Sequence, residues 1–152
     1  MAEVPDTPDA ESPAEVLATC VSLQLRKATR VVTHLYDEAL RPVGLRSTQL
    51  PILVTLAARG ALSMTDLADS LVLDRTTVIR TLQPLQRRGL VEVGRGDGTR
   101  TRRAALTAAG REAVARAIPL WAQVQARVMD GLGPQQLPEM RRSLSRLVSL
   151  LS

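Results

Sequence analysis

Apolar residues recur along this chain at alternating four- and three-residue steps, except in one stretch near residue 90 where the period falls to two. The first stripe is Val21, Leu25, Ala28, Val32, Leu35 and Ala39, with Leu17 extending it backwards; it predicts a long helix from about Ala14 to Leu40, ended by Pro42 and Gly44. A second helix is expected to start near Ser47 or Thr48, either of which can cap it. It holds Pro51 near its first turn and runs through Ile52, Leu53 and Leu56 to Gly60. Ala61-Leu62 suits a minor strand. Ser63-Met64-Thr65-Asp66 is similar to a capping box opening a third, short helix, with Leu67, Ala68 and Leu71 inward. Asp74 caps a fourth helix with Val78, Leu82 and Leu85 inward, and Gly89 stops it. Pro84 lies inside that helix, where it removes the bond to the Arg80 carbonyl and is expected to bend it.

The period-two stretch is Leu90 to Arg95, with Val91 and Val93 on one face. The Gly96-Asp97-Gly98 run before a return strand, Arg100 to Leu106, is a hairpin signal. Thr107 then caps a fifth helix whose stripe is Val114, Ile118, Trp121, Val124 and Val128, with a bend expected at Pro119 and a break at Gly131 and Gly133. A last helix carries Leu137, Met140, Leu144, Leu147 and Leu151. The fold class that follows is mostly α with a small β-hairpin wing, a winged helix-turn-helix flanked by dimerisation helices. The boundaries are a disordered acidic tail over 1–14, a first helix over 15–45, a winged helix-turn-helix over 46–106 and C-terminal helices over 107–152; the end helices have few other surfaces to bury their stripes, which is why dimerisation is expected of them.

Composition sharpens this outline where charge is uneven. The net charge is +5 and every basic residue but Lys27 is an arginine. Residues 1–15 hold five carboxylates and no base, whereas Arg75 to Arg111 hold nine arginines against Glu92 and Asp97. Such a concentration suits a polyanion. With one Trp, one Tyr and no Phe, the core must be built from Leu, Val, Ile and Ala. A single cysteine, Cys20, allows no intrachain disulfide. The acidic, Pro-rich start does not match a signal peptide, and no apolar run suits a bilayer span, so no membrane partner and a cytoplasmic location are expected.

Two short helices joined by a tight turn and followed by a hairpin have the order of a DNA reader. A B-form major groove admits one helix, and its base edges distinguish all four pairs. The helix after Asp74 presents Arg75, Thr76, Thr77 and Arg80 in its first turns. The threonine hydroxyls are short enough for phosphates or base edges at close approach, and Arg80 is long enough for a fork to guanine. The hairpin and its flanks carry Arg95, Arg100, Arg102 and Arg103, suited to the minor groove and its phosphates.

The run from Leu62 to Glu112, with "LDRTTVIRTLQPLQRRGLV" before a charged wing and "LTAAG" after it, resembles the MarR family of regulators, and Gly44 to Leu53 is similar to that family's second helix. The resemblance covers nearly all of residues 15–151. It implies an obligate homodimer whose first and last helices interlock. It also implies binding to pseudopalindromic double-stranded DNA, usually as a repressor, with release on a small-molecule effector or on oxidation. Carried over by position, it implies reading-helix contacts at Thr76, Thr77 and Arg80, and phosphate contacts at Ser63 and Thr65. It also implies a wing-tip contact at Arg100 braced near Asp97. Two departures stand out: Val72 occupies a turn position often held by Gly, so a different turn is expected, and the Asp97–Arg100 spacing is not the commonest one.

Cys20 falls where part of the family carries a redox-sensing thiol, and it reads either as such a sensor or as a small buried hydrophobe. Trp121, on its stripe, reads as core or as the lining of an effector pocket where the fifth helix meets the winged domain. One histidine and one cysteine leave little acid–base machinery, and there is no P-loop, GxGxxG, HExxH or Ser-His-Asp set, so no enzyme and no cofactor or metal is expected. The alternative from another class is a winged-helix protein–protein interaction module without operator binding.

Overall fold

The computed structural model of the protein describes residues 12–95, 101–133 and 135–151. The chain divides into two units, residues 1–34 and 35–152.

In the first unit, α1 spans Pro13–Thr19 and α2 begins at Val21, running on to Leu40. Ser12 caps α1 with a full capping box: Glu15 N donates to Ser12 Oγ at 3.2 Å, and Ser12 N donates to Glu15 Oε2 at 2.6 Å. The single long helix expected from Ala14 is therefore two helices, and the part of the expected tail at Ser12–Ala14 is a helix start. The break is at Cys20, whose backbone is extended at φ −62° and ψ 108°. Thr19, Cys20 and Val21 are all weak helix formers, and Thr19 Oγ1 donates back to the Glu15 carbonyl at 2.7 Å, a bond that competes with the regular ladder. Gln24 Nε2 reaches the Leu17 carbonyl across the break at 3.3 Å.

The second unit packs α3 (Leu50–Arg59), α4 (Met64–Leu71), α5 (Arg75–Arg87) and the start of α6 (Ala108–Leu132) around one core, beside a small antiparallel sheet. Its strands are β1 (Leu62–Ser63), β2 (Val91–Arg95) and β3 (Arg102–Leu106), in the order β1-β3-β2. The register sets Val91 opposite Leu106, Val93 opposite Ala104 and Arg95 opposite Arg102. Leu40, Ile52, Leu53, Leu67, Val78, Leu82 and Leu85 are fully buried, an aliphatic core of the kind the composition requires. A last helix, α7, spans Gln136–Leu151.

Local signals account for most element ends. Ser63, Asp74 and Thr107 cap α4, α5 and α6, each accepting from the backbone N–H three residues on. Neither Ser47 nor Thr48 caps α3. The helix opens after Gln49, whose side chain makes no cap bond to it and instead accepts from Arg46 N at 3.1 Å, while Ser47 N donates to Asp37 Oδ1 at 2.6 Å. A long-range carboxylate has thus captured the position that a local cap would use. α6 runs through Pro119 and Gly131 and ends at Gly133.

Schellman turns close three segments. After the 3₁₀ turn Arg41–Val43, Leu45 N bonds the Leu40 carbonyl with Gly44 left-handed. After α5, Leu90 N bonds the Leu85 carbonyl with Gly89 left-handed. After α4, Leu73 N bonds the Ala68 carbonyl and Val72 itself is left-handed, at φ 53° and ψ 47°. The turn expected to differ for want of a glycine keeps the glycine conformation with a β-branched residue in it.

Gly110 answers a different need. A Cβ there would stand 2.0 Å from the Leu90 carbonyl oxygen, because the first turn of α6 lies directly on the entry to β2. Thr107 fastens the same junction, its N–H donating to the Leu90 carbonyl and its hydroxyl to the Gly89 carbonyl at 2.6 Å.

The expected stripe on α6 holds at Val114 and Val124 and fails at Ile118 and Trp121. Ala113, Val114, Ala117 and Val124 are buried, whereas Ile118 and Trp121 are 49% and 40% exposed. Small alanines share the inward face with these two valines, and a stripe chosen by the largest apolar residues passes over them.

Candidate nucleic-acid interface

α4 and α5 are joined by Val72, Leu73 and Asp74, and α5 is anchored inward through Val78, Leu82 and Leu85. Its outward positions include Arg75, Thr76, Ile79, Arg80, Gln83, Gln86 and Arg87. Arg75 and Thr76 lie in the first turn, next to the Asp74 cap. A cation there opposes the helix dipole, and no acidic residue follows it in that turn, so the local sequence favours an outside anion over helix stability.

Asp74 does more than accept one backbone bond. Its Oδ1 accepts from Thr77 N at 2.8 Å and its Oδ2 from Thr77 Oγ1 at 2.6 Å. The Thr77 hydroxyl, followed by the backbone N–H groups, holds the Asp74 carboxyl below its ordinary value. Thr77 is half-buried and its hydroxyl proton belongs to this cap, so of the two threonines only Thr76 stands exposed with its hydroxyl unengaged among the described residues. Ser63 is similarly occupied: its Oγ accepts from Asp66 N and donates to Asp66 Oδ2 at 2.7 Å. Thr65, two residues on, is exposed at the start of α4.

The structure sorts the arginines into two sets. Arg88 donates to the Val43 and Gly44 carbonyls, Arg103 to the Ala61 carbonyl and Arg111 to the Leu106 carbonyl; these side chains tie loops to the core. Arg75, Arg80, Arg95 and Arg102 have no hydrogen-bond or ion-pair partner among the described residues. Arg95 and Arg102 face each other across β2 and β3, on the face that carries Val91, Val93 and Ala104 toward the core. Like charges opposed on adjacent strands repel, and an anion between them relieves that cost. A cleft of about 140 Å³ lies between α5 and the sheet, lined by Arg75, Ile79, Gln86, Val93 and Arg102 among others. The exposed Ile79 escaped a reading aimed at polar side chains, although the stripe Val78, Leu82, Leu85 already left it outside the core. Asp97 and Arg100 lie outside the described residues.

Of the two candidate sensing residues, Cys20 sits half-buried at the break between α1 and α2. Trp121 does not line the crevice found where α6 meets the winged unit. That crevice, of about 420 Å³, is bordered by Leu56, Ala61, Leu106, Arg111, Val114 and Ile118. Tyr36 is fixed to α6 by a 2.7 Å bond from its hydroxyl to Gln125 Oε1, and partial burial raises its pKa. Among the described residues no helix is long and apolar enough to cross a membrane.

Comparison with known proteins agrees with this geometry. The profile of the MarR family matches residues 43–102. The M. tuberculosis transcriptional regulator MosR, solved in complex with DNA, is 39% identical. The match covers 84% of this chain and 92% of that one, with a TM-score of 0.77. The transcriptional repressor CouR, bound to a 23-mer DNA duplex, is 26% identical over 91% of this chain and 99% of its own, with a TM-score of 0.80. An uncharacterized HTH-type transcriptional regulator of Bacillus subtilis, YwoH, is 29% identical over 84 residues, 55% of this chain and 61% of that protein.

Proposed function

This chain belongs to the MarR family of transcriptional regulators, DNA-binding proteins and not enzymes, and on that premise we propose that it is a homodimeric repressor of a pseudopalindromic operator. α5 enters the major groove, with Arg80 forking to guanine and Arg75 and Thr76 holding the flanking backbone. The hairpin reaches the minor groove through Arg95, Arg100 and Arg102. The observation that carries this reading is the set of arginines on α5 and the wing that have no partner among the described residues, beside others of the same segment that are bonded to carbonyls. Ser63, Thr77 and Asp97 act by holding α4, α5 and the wing in shape, and Thr65 meets a phosphate.

Dimerisation rests on the terminal helices. Val16, Leu17, Val21, Val31 and Val32 on α1 and α2, and Met140, Leu144, Val148 and Leu150 on α7, are exposed apolar residues in a single chain. Faces of that kind are covered in an assembly. An effector, a small apolar molecule with an acid group that Arg111 can meet, fits the crevice between α3, β3 and α6. A DNA target implies a cytoplasmic location.

The test is a mobility-shift titration with Arg80→Ala and Arg100→Ala against variant operators at several salt concentrations. Arg80→Ala should relax preference at one position per half-site and cost about 1–3 kcal/mol. Arg100→Ala should weaken binding to all sequences and lower the salt slope by about one unit. Full base preference in Arg80→Ala would refute the assignment.

A further inference from the structure

We propose that Ile79 reads a thymine, its side chain packing on the C5-methyl group of one thymine in each half-site. The inference rests on the reading of α5 as the major-groove helix. Ile79 is 41% exposed on a helix whose inner face is already closed by Val78, Leu82 and Leu85. Its neighbours on the outer surface are Arg75, Thr76, Arg80, Gln83 and Gln86, all polar. Its covered part borders Met64, Leu82 and Val93 in the cleft, whereas the part left in solvent does nothing for the helix, since arginine, lysine or glutamine forms helix better. Its place on the wheel is definite: one turn beyond Arg75, beside the outward pair Thr76 and Arg80, on the flank that borders the cleft to the wing.

The groove offers little that an isoleucine can recognise. Of the four bases, thymine alone presents an apolar group in the major groove. A protein partner is disfavoured by the cations that border the same cleft, Arg75 and Arg102. The side chain is also suited to its task by stiffness. A β-branched residue in a helix holds one preferred χ1 rotamer, and the rest of Ile79 is covered, so little freedom remains to be lost on contact. Arg80 and Ile79 then divide the reading between them, a fork for guanine and a methyl contact for thymine.

The experiment begins by enriching binding sites from random duplexes with the full chain. Each thymine of the enriched site is then replaced singly by deoxyuridine, which keeps the pairing and removes only the methyl group. At one thymine per half-site the replacement should weaken wild-type binding about fourfold, the effect of leaving one methyl unburied. Ile79→Ala and Ile79→Gln, the latter a better helix former, should bind thymine and deoxyuridine sites alike. If no thymine shows the loss, if the loss persists in both variants, or if the enriched half-sites share no thymine, the proposal falls while DNA reading stands. If no sequence is enriched at all, the operator reading falls with it.

Discussion

Replacing Val72 with glycine should stabilise the protein, although it removes an apolar side chain. Among the described residues Val72 is the one non-glycine with positive φ, and it holds the corner between α4 and the reading helix α5. Left-handed backbone costs an L-residue about 1–2 kcal/mol, with β-branched residues at the upper end. Against that relief stands the larger freedom of glycine in the unfolded chain, about 0.4–1 kcal/mol. Lost packing is small, because the side chain is 62% exposed; taking a third of a full valine burial gives about 0.5 kcal/mol. The balance is a gain of about 0.5 kcal/mol, or a rise of about 1–2 °C in Tm for a chain of this size. Gly89 provides the reverse experiment. It occupies the equivalent place in the turn after α5, and a Cβ there would meet nothing within 4 Å. Gly89→Ala isolates the backbone term with the opposite sign and should lose about 0.5–1 kcal/mol. Both are read by thermal and urea unfolding at one fixed protein concentration, since a dimer's Tm depends on concentration. A Val72→Gly protein clearly less stable than wild type, or a stabilised Gly89→Ala, would refute the reasoning.

Gly110→Ala should be among the most damaging single-atom additions, costing about 1–3 kcal/mol or more, because the new Cβ meets the Leu90 carbonyl rather than a movable side chain; a lowered urea midpoint at unchanged slope checks this. Ser47→Ala should be neutral or stabilising by up to about 1 kcal/mol, since its buried Oγ has no partner to lose among the described residues, and a fall in Tm would show that it has one. Asp74 gives a pH dependence: its folded pKa is depressed below 3.8, so the cap contributes fully above that value and is lost as pH falls below it. Acid unfolding followed by circular dichroism should therefore be less steep in Asp74→Asn, which keeps a capping group but does not titrate.

The amino-acid sequence by itself determined what depends on bonds a few residues long. The caps Ser63, Asp74 and Thr107 each act on an N–H three residues away, and the two strands of the wing alternate as their pattern requires. The inward faces of α4 and α5 follow from the helical period alone. Tertiary structure decided what depends on partners far along the chain. Arg88 and Arg103 are indistinguishable from Arg80 and Arg102 as letters, yet the first two bond carbonyls at Gly44 and Ala61, some forty residues back, and among the described residues the others do not. Asp37 holds the Ser47 amide from ten residues away and so moves the start of α3. The face of α6 is set by Ala113 and Ala117, residues too small to mark a stripe but small enough to be enclosed, which turns Ile118 and Trp121 outward. Val72 is held left-handed because the Schellman bonds of its turn, fixed by the placement of α4 and α5, outweigh its own preference. A local preference is worth about 1 kcal/mol or less per residue, and the packing of a whole helix overrides it wherever the two disagree.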